Sequence, residues 1–271
     1  MEEMILLSPA YVAYGASTYL YQRFLTMKSR RAGQWATYLL LLGLVVHSLA
    51  IVVRWQQAGR LPMANLFEAF ALFTWLLLVI YLVIEMGSRQ RALGAFVVPV
   101  ALLLLIGTFF LPREIAPNPL LQNGWFAVHV GLFLVAYSSL TLGAAASGVY
   151  LLQERGLKSK NKKSLLYRLP PLESTEHLGH RFVQLGFPFL VAGGIAAAMW
   201  ANEAWGTYWV WEPKQVTVLF DLAIYALYFY TRYFLGWRGR RGAWMIIAGF
   251  AAIMVSFVGV GLLGVGAHAF V

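Results

Sequence analysis

The chain has 271 residues, of which 60% are hydrophobic and only 12% charged, and its mean hydropathy is +0.67. A soluble domain carries about a quarter of its residues as charges, so these figures exclude a water-soluble globular protein and imply one polytopic membrane domain over residues 1–271. A net charge of +10 would suggest nucleic acid as the partner of a soluble protein, but in a membrane chain it has a topological origin, and no nucleic acid is expected. There is no cysteine, so any thiol chemistry must come from a partner. The acidic start Met1-Glu2-Glu3 lacks the basic region of a signal peptide, and no cleaved leader is expected.

Apolar runs of about 20 residues are long enough to cross a bilayer as helices. Eight occur, at approximately 5–25, 36–55, 64–86, 92–111, 124–152, 184–201, 217–235 and 243–265. The expected fold is an all-α bundle of eight transmembrane helices. The lysines and arginines give its orientation. Seventeen of the 21 fall in or beside the loops that follow the odd-numbered runs, and four (Arg54, Arg60, Arg113 and Lys214) fall on the other side. By the positive-inside rule both termini face outside, and the chain is a multi-pass protein of the cytoplasmic (inner) membrane. A basic cytoplasmic loop is expected at 153–183, with its Leu157–Lys163 part facing lipid head groups or flexible. Arg168-Leu169-Pro170-Pro171-Leu172 reads as an extended connector into a short helix.

Between the sixth and seventh runs, on the outer side, lies the stretch 200–215, WANEAWGTYWVWEPKQ. Four of the ten tryptophans sit there: Trp200, Trp205, Trp209 and Trp211. Gly206, Pro213 and the charges of Glu203, Glu212 and Lys214 make it a poor span and a good surface loop. Two readings are open. The indoles form an interfacial aromatic belt, or they build a platform for a flat, largely apolar ligand.

The histidines sort by side. His129, near the start of the fifth run, and His268, just past the eighth, share the outer face with the tryptophans. Two imidazoles beside an aromatic platform suit axial ligation of haem iron. His47 lies inside the second run and is either a functional group or a neutral imidazole hydrogen-bonded between helices. His177 and His180 read as a solvated face of the cytoplasmic loop. Glu68, Asp221, Arg54 and Arg60 lie near the outer face. Either these charges pair with each other, or Arg54, Arg60, Arg113 or Lys214 holds a ligand carboxylate such as a haem propionate.

The segment Trp205-Gly206-Thr207-Tyr208-Trp209-Val210-Trp211-Glu212-Pro213-Lys214-Gln215 resembles the tryptophan-rich W-G-x-x-W-x-W-D-P-K-E motif of the cytochrome c assembly family. That family holds the haem-handling membrane proteins of the CcsA/ResC, CcmC and CcmF types and the related HemX-type proteins. His129 resembles its first external histidine. Gly266-Ala267-His268-Ala269-Phe270 resembles its second, and Asn65-x-x-Glu68 a family N-x-x-E. The resemblance runs from about His47 to His268. It implies haem b held at the outer face on Trp200, Trp205, Trp209, Trp211, Glu212 and Lys214. His129 and His268 would be the iron ligands, with His47 a transient one. It further implies attachment to the C-x-x-C-H cysteines of apocytochrome c, with a CcsB/ResB-like membrane partner, as one component of a cytochrome c haem lyase or synthase.

Three positions depart from the family pattern: Glu212 for Asp, Gln215 for Glu, and Tyr230 where a membrane-embedded histidine is common. The short chain, the basic loop and the 168–173 connector also resemble the HemX-type branch. That branch implies a modulator of haem biosynthesis, acting through loop 153–183 on a haem-biosynthesis enzyme.

Overall fold

The structure is a computed structural model that describes residues 2–88, 90–114, 123–158, 169 and 171–259, with the backbone alone for 2–6 and 88. Eight α-helices stand among these residues and no strand. They are α1 (Glu2–Met27), α2 (Arg30–Ala58), α3 (Leu66–Ser88), α4 (Gly94–Gly107), α5 (Gly124–Lys158), α6 (Leu172–Trp205), α7 (Pro213–Phe234) and α8 (Arg240–Met254). A 3-10 turn flanks α4 on each side, and a π-helical turn, Val255–Gly259, extends α8. The helices run up and down. One end of the bundle carries most of the described basic residues, and the other carries the segment with Trp200, Trp205, Trp209 and Trp211.

Six stretches are long and apolar enough to cross a membrane: Arg30–Ala58, Leu66–Gly87, Arg91–Phe110, Gly124–Lys158, Leu172–Trp205 and Arg240–Gly259. α1 and α7 are not among the six; α7 carries Lys214, Asp221 and Arg232 along its length. α2 turns Leu41, Leu42, Val45 and Leu49 outward as a continuous apolar face. A surface meeting water does not carry such a stripe, whereas one meeting acyl chains does.

The helix ends differ from the sequence expectation in one region. Residues 153–158 of the expected loop continue α5, and the short helix expected after the connector is the start of the 34-residue α6 at Leu172. Residues 159–168 and 170, which fall in the expected loop and connector, lie outside the described residues. The cause is packing beyond the bilayer. α5 and α6 have 35 and 34 residues, about 50 Å each at 1.5 Å per residue, against a hydrocarbon core of about 30 Å. Their extra turns pack on each other and on α7. A Cβ on Gly179 would sit 3.5 Å from the Gly143 carbonyl oxygen, and Arg232 of α7 pairs with Glu176 at 2.6 Å. Further along the same seam, a Cβ on Gly186 would fall 2.7 Å from Leu140, so only glycine lets the two backbones approach this closely.

Two apolar clusters fill the bundle. Tyr14, Tyr21, Leu40, Leu77, Leu78 and Leu105 centre the one between α1, α2, α3 and α4. The other, between α3, α5, α6, α7 and α8, centres on Phe73, Leu134, Leu190, Tyr225 and Ile253. A small third cluster of Ala64, Phe126 and Trp200 closes the tryptophan end.

Candidate functional site

The tryptophan segment is partly helical. α6 runs through Trp205 and ends at Gly206, whose positive φ of 72° lets its N–H cap the Asn202 carbonyl at 2.9 Å. α7 restarts at Pro213, a residue suited to a first helical position. The true loop is therefore 206–212. It is held by Gln215, whose Oε1 accepts the Val210 N–H at 2.7 Å. At its base, Asn123 at the start of α5 donates to Glu203 near the end of α6.

Below this loop lies a cavity of about 430 Å³ between α3, α5, α6, α7 and the π-helical turn. Its size falls within the range of small-molecule sites. The walls are mostly apolar. α5 contributes His129, Phe133 and Tyr137, and α6 leaves room by presenting Gly194, Ala197 and Ala198. Trp209, Lys214 and Gln215 cover the loop side.

His129 is buried, with its ring 5.2 Å from that of Trp200 and 5.3 Å from that of Phe126. Its Nδ1 lies 3.0 Å from the Trp125 carbonyl oxygen. A carbonyl only accepts, so Nδ1 carries the proton and Nε2 the lone pair. That is the tautomer a metal-binding imidazole needs. Trp209 brings a buried indole N–H with no hydrogen-bond partner, and Lys214 brings an ammonium. One cavity thus combines apolar walls, an imidazole and two donors suited to carboxylates. This donor set fits an iron porphyrin with acidic substituents.

The four loop tryptophans do not form one flat surface. Trp200 is 1% exposed and backs His129; Trp205 stands edge-on to it at 71°. Of the four, Trp209 alone lines the cavity. Trp211 is 80% exposed and turned away, at 84° to Trp209. Glu212 is buried beside Lys214. His268 lies outside the described residues.

His47 is not brought to this cavity. It is buried against Tyr14, whose hydroxyl is 3.2 Å from Nδ1, and it borders a second pocket of about 30 Å³ between α2 and α3. That space suits a water, not a macrocycle. The charges expected near the outer face pair with each other in part. Glu68 accepts from Arg54 and from Arg60, each at 2.9 Å, and from the Ala64 N–H at 2.9 Å. Asn65 caps the same helix through the Glu68 N–H. Arg54 and Arg60 are therefore committed to Glu68, while Lys214 lines the cavity. Asp221 is not in that network. It is buried beside Ser256, and neither carboxyl oxygen reaches a full hydrogen bond.

His180 overturns the solvated-loop reading. It is a buried residue of α6, with Nδ1 3.0 Å from the Tyr228 hydroxyl of α7. His177 is exposed, 3.7 Å from Glu173. The sequence reading missed Phe133, and it gave Tyr137 no place in the site. They follow His129 at helical spacing, and a 3.6-residue stripe through His129 would have found them.

The cytochrome C assembly protein family pattern matches residues 63–268. The chain is 33% identical over 230 residues to the cytochrome c biogenesis protein CcsA of Chlamydomonas reinhardtii, covering 82% of this chain and 64% of that one. It is 34% identical over 250 residues to CcsA of Prochlorococcus marinus (strain NATL1A), covering 81% and 79%. Among solved structures, the cytochrome c heme lyase CcmF superposes with a TM-score of 0.70 at 17% identity, over 97% of this chain and 48% of that one. That last likeness is one of fold, and this chain spans about half of that protein's length.

Proposed function

The chain belongs to the cytochrome c assembly protein family, has a role in cytochrome c maturation and is an integral membrane protein, and from that premise we propose that it holds haem b under the tryptophan loop and presents it for attachment to apocytochrome c. The observation that carries this reading is the convergence of His129, Trp209 and Lys214 on one apolar cavity.

Each residue has a separate task. His129 offers Nε2 to the iron, because Trp125 holds the proton on Nδ1. His268 provides the second ligand from beyond α8. Lys214 and the Trp209 N–H bind propionates, whose charge the apolar walls would otherwise reject. Trp200 and Phe126 fix the His129 ring. Exposed Trp211 meets the apocytochrome or a CcsB/ResB-like partner. Bound haem supplies two vinyl groups to the substrate's cysteine thiols, which this cysteine-free chain cannot provide. The cavity opens on the outer face of the cytoplasmic membrane, in keeping with the 17-to-4 division of basic residues.

The test is the absorption spectrum of detergent-purified protein beside a His129→Ala/His268→Ala double variant. The expected outcome is a Soret band in the first and none in the second. Full haem occupancy in the double variant would sink the assignment.

A further inference from the structure

α6 and α7 are joined firmly only in their basic halves. Arg232 pairs with Glu176, His180 meets Tyr228 and Tyr233, and Gln184 donates to Tyr233 at 3.2 Å. The Phe187 and Phe229 rings then stack obliquely with centroids 5.1 Å apart. Toward the tryptophan end the two helices instead border the cavity, with Val191, Gly194 and Ile195 on α6 and Val218, Leu219 and Leu222 on α7. Three of these wall residues also lie on the outside of the protein: Ile195 is 64% exposed, Leu219 45% and Val191 37%. A side chain that both lines a cavity and faces the surroundings marks its rim. The cavity is therefore open sideways between α6 and α7, and within that opening Leu222 faces Gly194, 3.7 Å from where a Cβ would stand.

The depth of the rim decides what it faces. Ile195 lies ten residues before the end of α6 and Leu219 six after the start of α7, about 15 Å and 9 Å along their axes. With the tryptophans at the interface, both depths fall within the hydrocarbon, whose full thickness is about 30 Å. An opening there meets acyl chains rather than water, and its rim is entirely aliphatic. The apolar body of a flat macrocycle dissolved in lipid crosses it without leaving an apolar medium, its carboxylates directed toward Lys214 and Trp209 at the head-group end of the cavity, whereas a ligand arriving from water would have to pass the loop.

We propose that this opening is a lateral portal through which the site is loaded from the lipid phase, with Leu222 and Gly194 as its gate. The proposal rests on the haem reading above and adds the source of the ligand. Its consequence is a sorting of the two openings: the side receives haem, and the loop end, with Trp211, meets the acceptor.

The absence of native cysteine allows a clean test. An Ile195→Cys/Leu219→Cys variant is reconstituted in vesicles and bridged with a bifunctional thiol reagent. Haem is then supplied either dissolved in the vesicle lipid or from aqueous haem–albumin, and the Soret band is followed. The bridged protein is expected to lose loading from lipid, while the unbridged variant loads. Protein loaded first and bridged afterwards should retain haem against an aqueous scavenger. A Gly194→Phe variant, which fills the gate without a cross-link, should load as the bridged protein does. Equal loading from lipid by bridged and unbridged protein, or by Gly194→Phe and wild type, overturns the portal alone. Failure of unbridged wild type to take haem from either source removes the haem reading itself.

Discussion

At the residue scale, the site separates side chains that touch the cavity from side chains that hold them in place. Trp200 belongs to the second group: it is buried, and it packs flank-on against His129 and Phe126. Trp200→Ala should cost about 3–5 kcal/mol, the usual range for emptying a large aromatic site. It should also broaden or shift the Soret band, because the imidazole loses its backing. Trp200→Phe should restore most of both. Trp211 behaves oppositely, being exposed and away from the cavity. Trp211→Ala should leave haem binding and thermal stability unchanged while lowering attachment to apocytochrome c in cells. A loss of haem on that change would show that the loop tryptophans act as a single platform. Ring orientation was the part of the site that sequence could not reveal. Spacing shows that the indoles cluster, but only the Gly206 cap and the Gln215 hold on Val210 decide that Trp209 turns in and Trp211 out. The departure at Gln215 is explained by the same bond, since an amide oxygen accepts the Val210 N–H as a carboxylate would.

At the element scale, the start of α3 is fixed by a buried charge network. Glu68 accepts from two guanidinium groups and the Ala64 N–H, and Arg54 donates in turn to the Arg113 carbonyl oxygen at 2.8 Å. This ties α2, α3 and the segment after α4 together beside the cavity wall formed by Asn65 and Leu66. Removing one partner of a buried pair leaves the other charge uncompensated. Glu68→Ala should therefore destabilise by about 3–5 kcal/mol, read as a lower unfolding midpoint in detergent, and Glu68→Gln should lose less. An unchanged midpoint for Glu68→Ala would mean that water compensates the two arginines. The eight helices were legible in the sequence, six of them as apolar runs of bilayer length, which admit little else. Their true ends were not. α5 and α6 outrun the apolar signal, continuing through polar turns supported by contacts such as Lys158 with Glu154 at 2.8 Å. His180 was misread for a related reason. Its partners Tyr228 and Tyr233 come from α7, about fifty residues on, and no local pattern announces them.

At the scale of the whole molecule, the division of charge and the place of the tryptophan loop mark two opposite ends. Because most of the described basic residues collect at one end and the cavity opens at the other, orientation in the membrane determines which compartment the site serves. The positive-inside rule places the basic end in the cytoplasm. This is a prediction about every helix at once, including α1 and α7, whose composition alone does not mark them as spans. Single cysteines test it without background, since the chain has none of its own. Trp211→Cys in the loop, which is exposed, should react with a membrane-impermeant maleimide in intact cells. Arg31→Cys in the first turn of α2 and Arg238→Cys between α7 and α8, both exposed, should react only after the membrane is opened. The pair of cytoplasmic probes is chosen because each flanks one of the two less apolar helices. If α7 failed to cross, Trp211→Cys and Arg238→Cys would report the same side, and the tryptophan loop would lose its separate face. Labelling of Arg31→Cys and Arg238→Cys from outside, with Trp211→Cys protected until the membrane is opened, would reverse the charge argument. It would also leave the cavity facing a compartment that the division of basic residues does not explain.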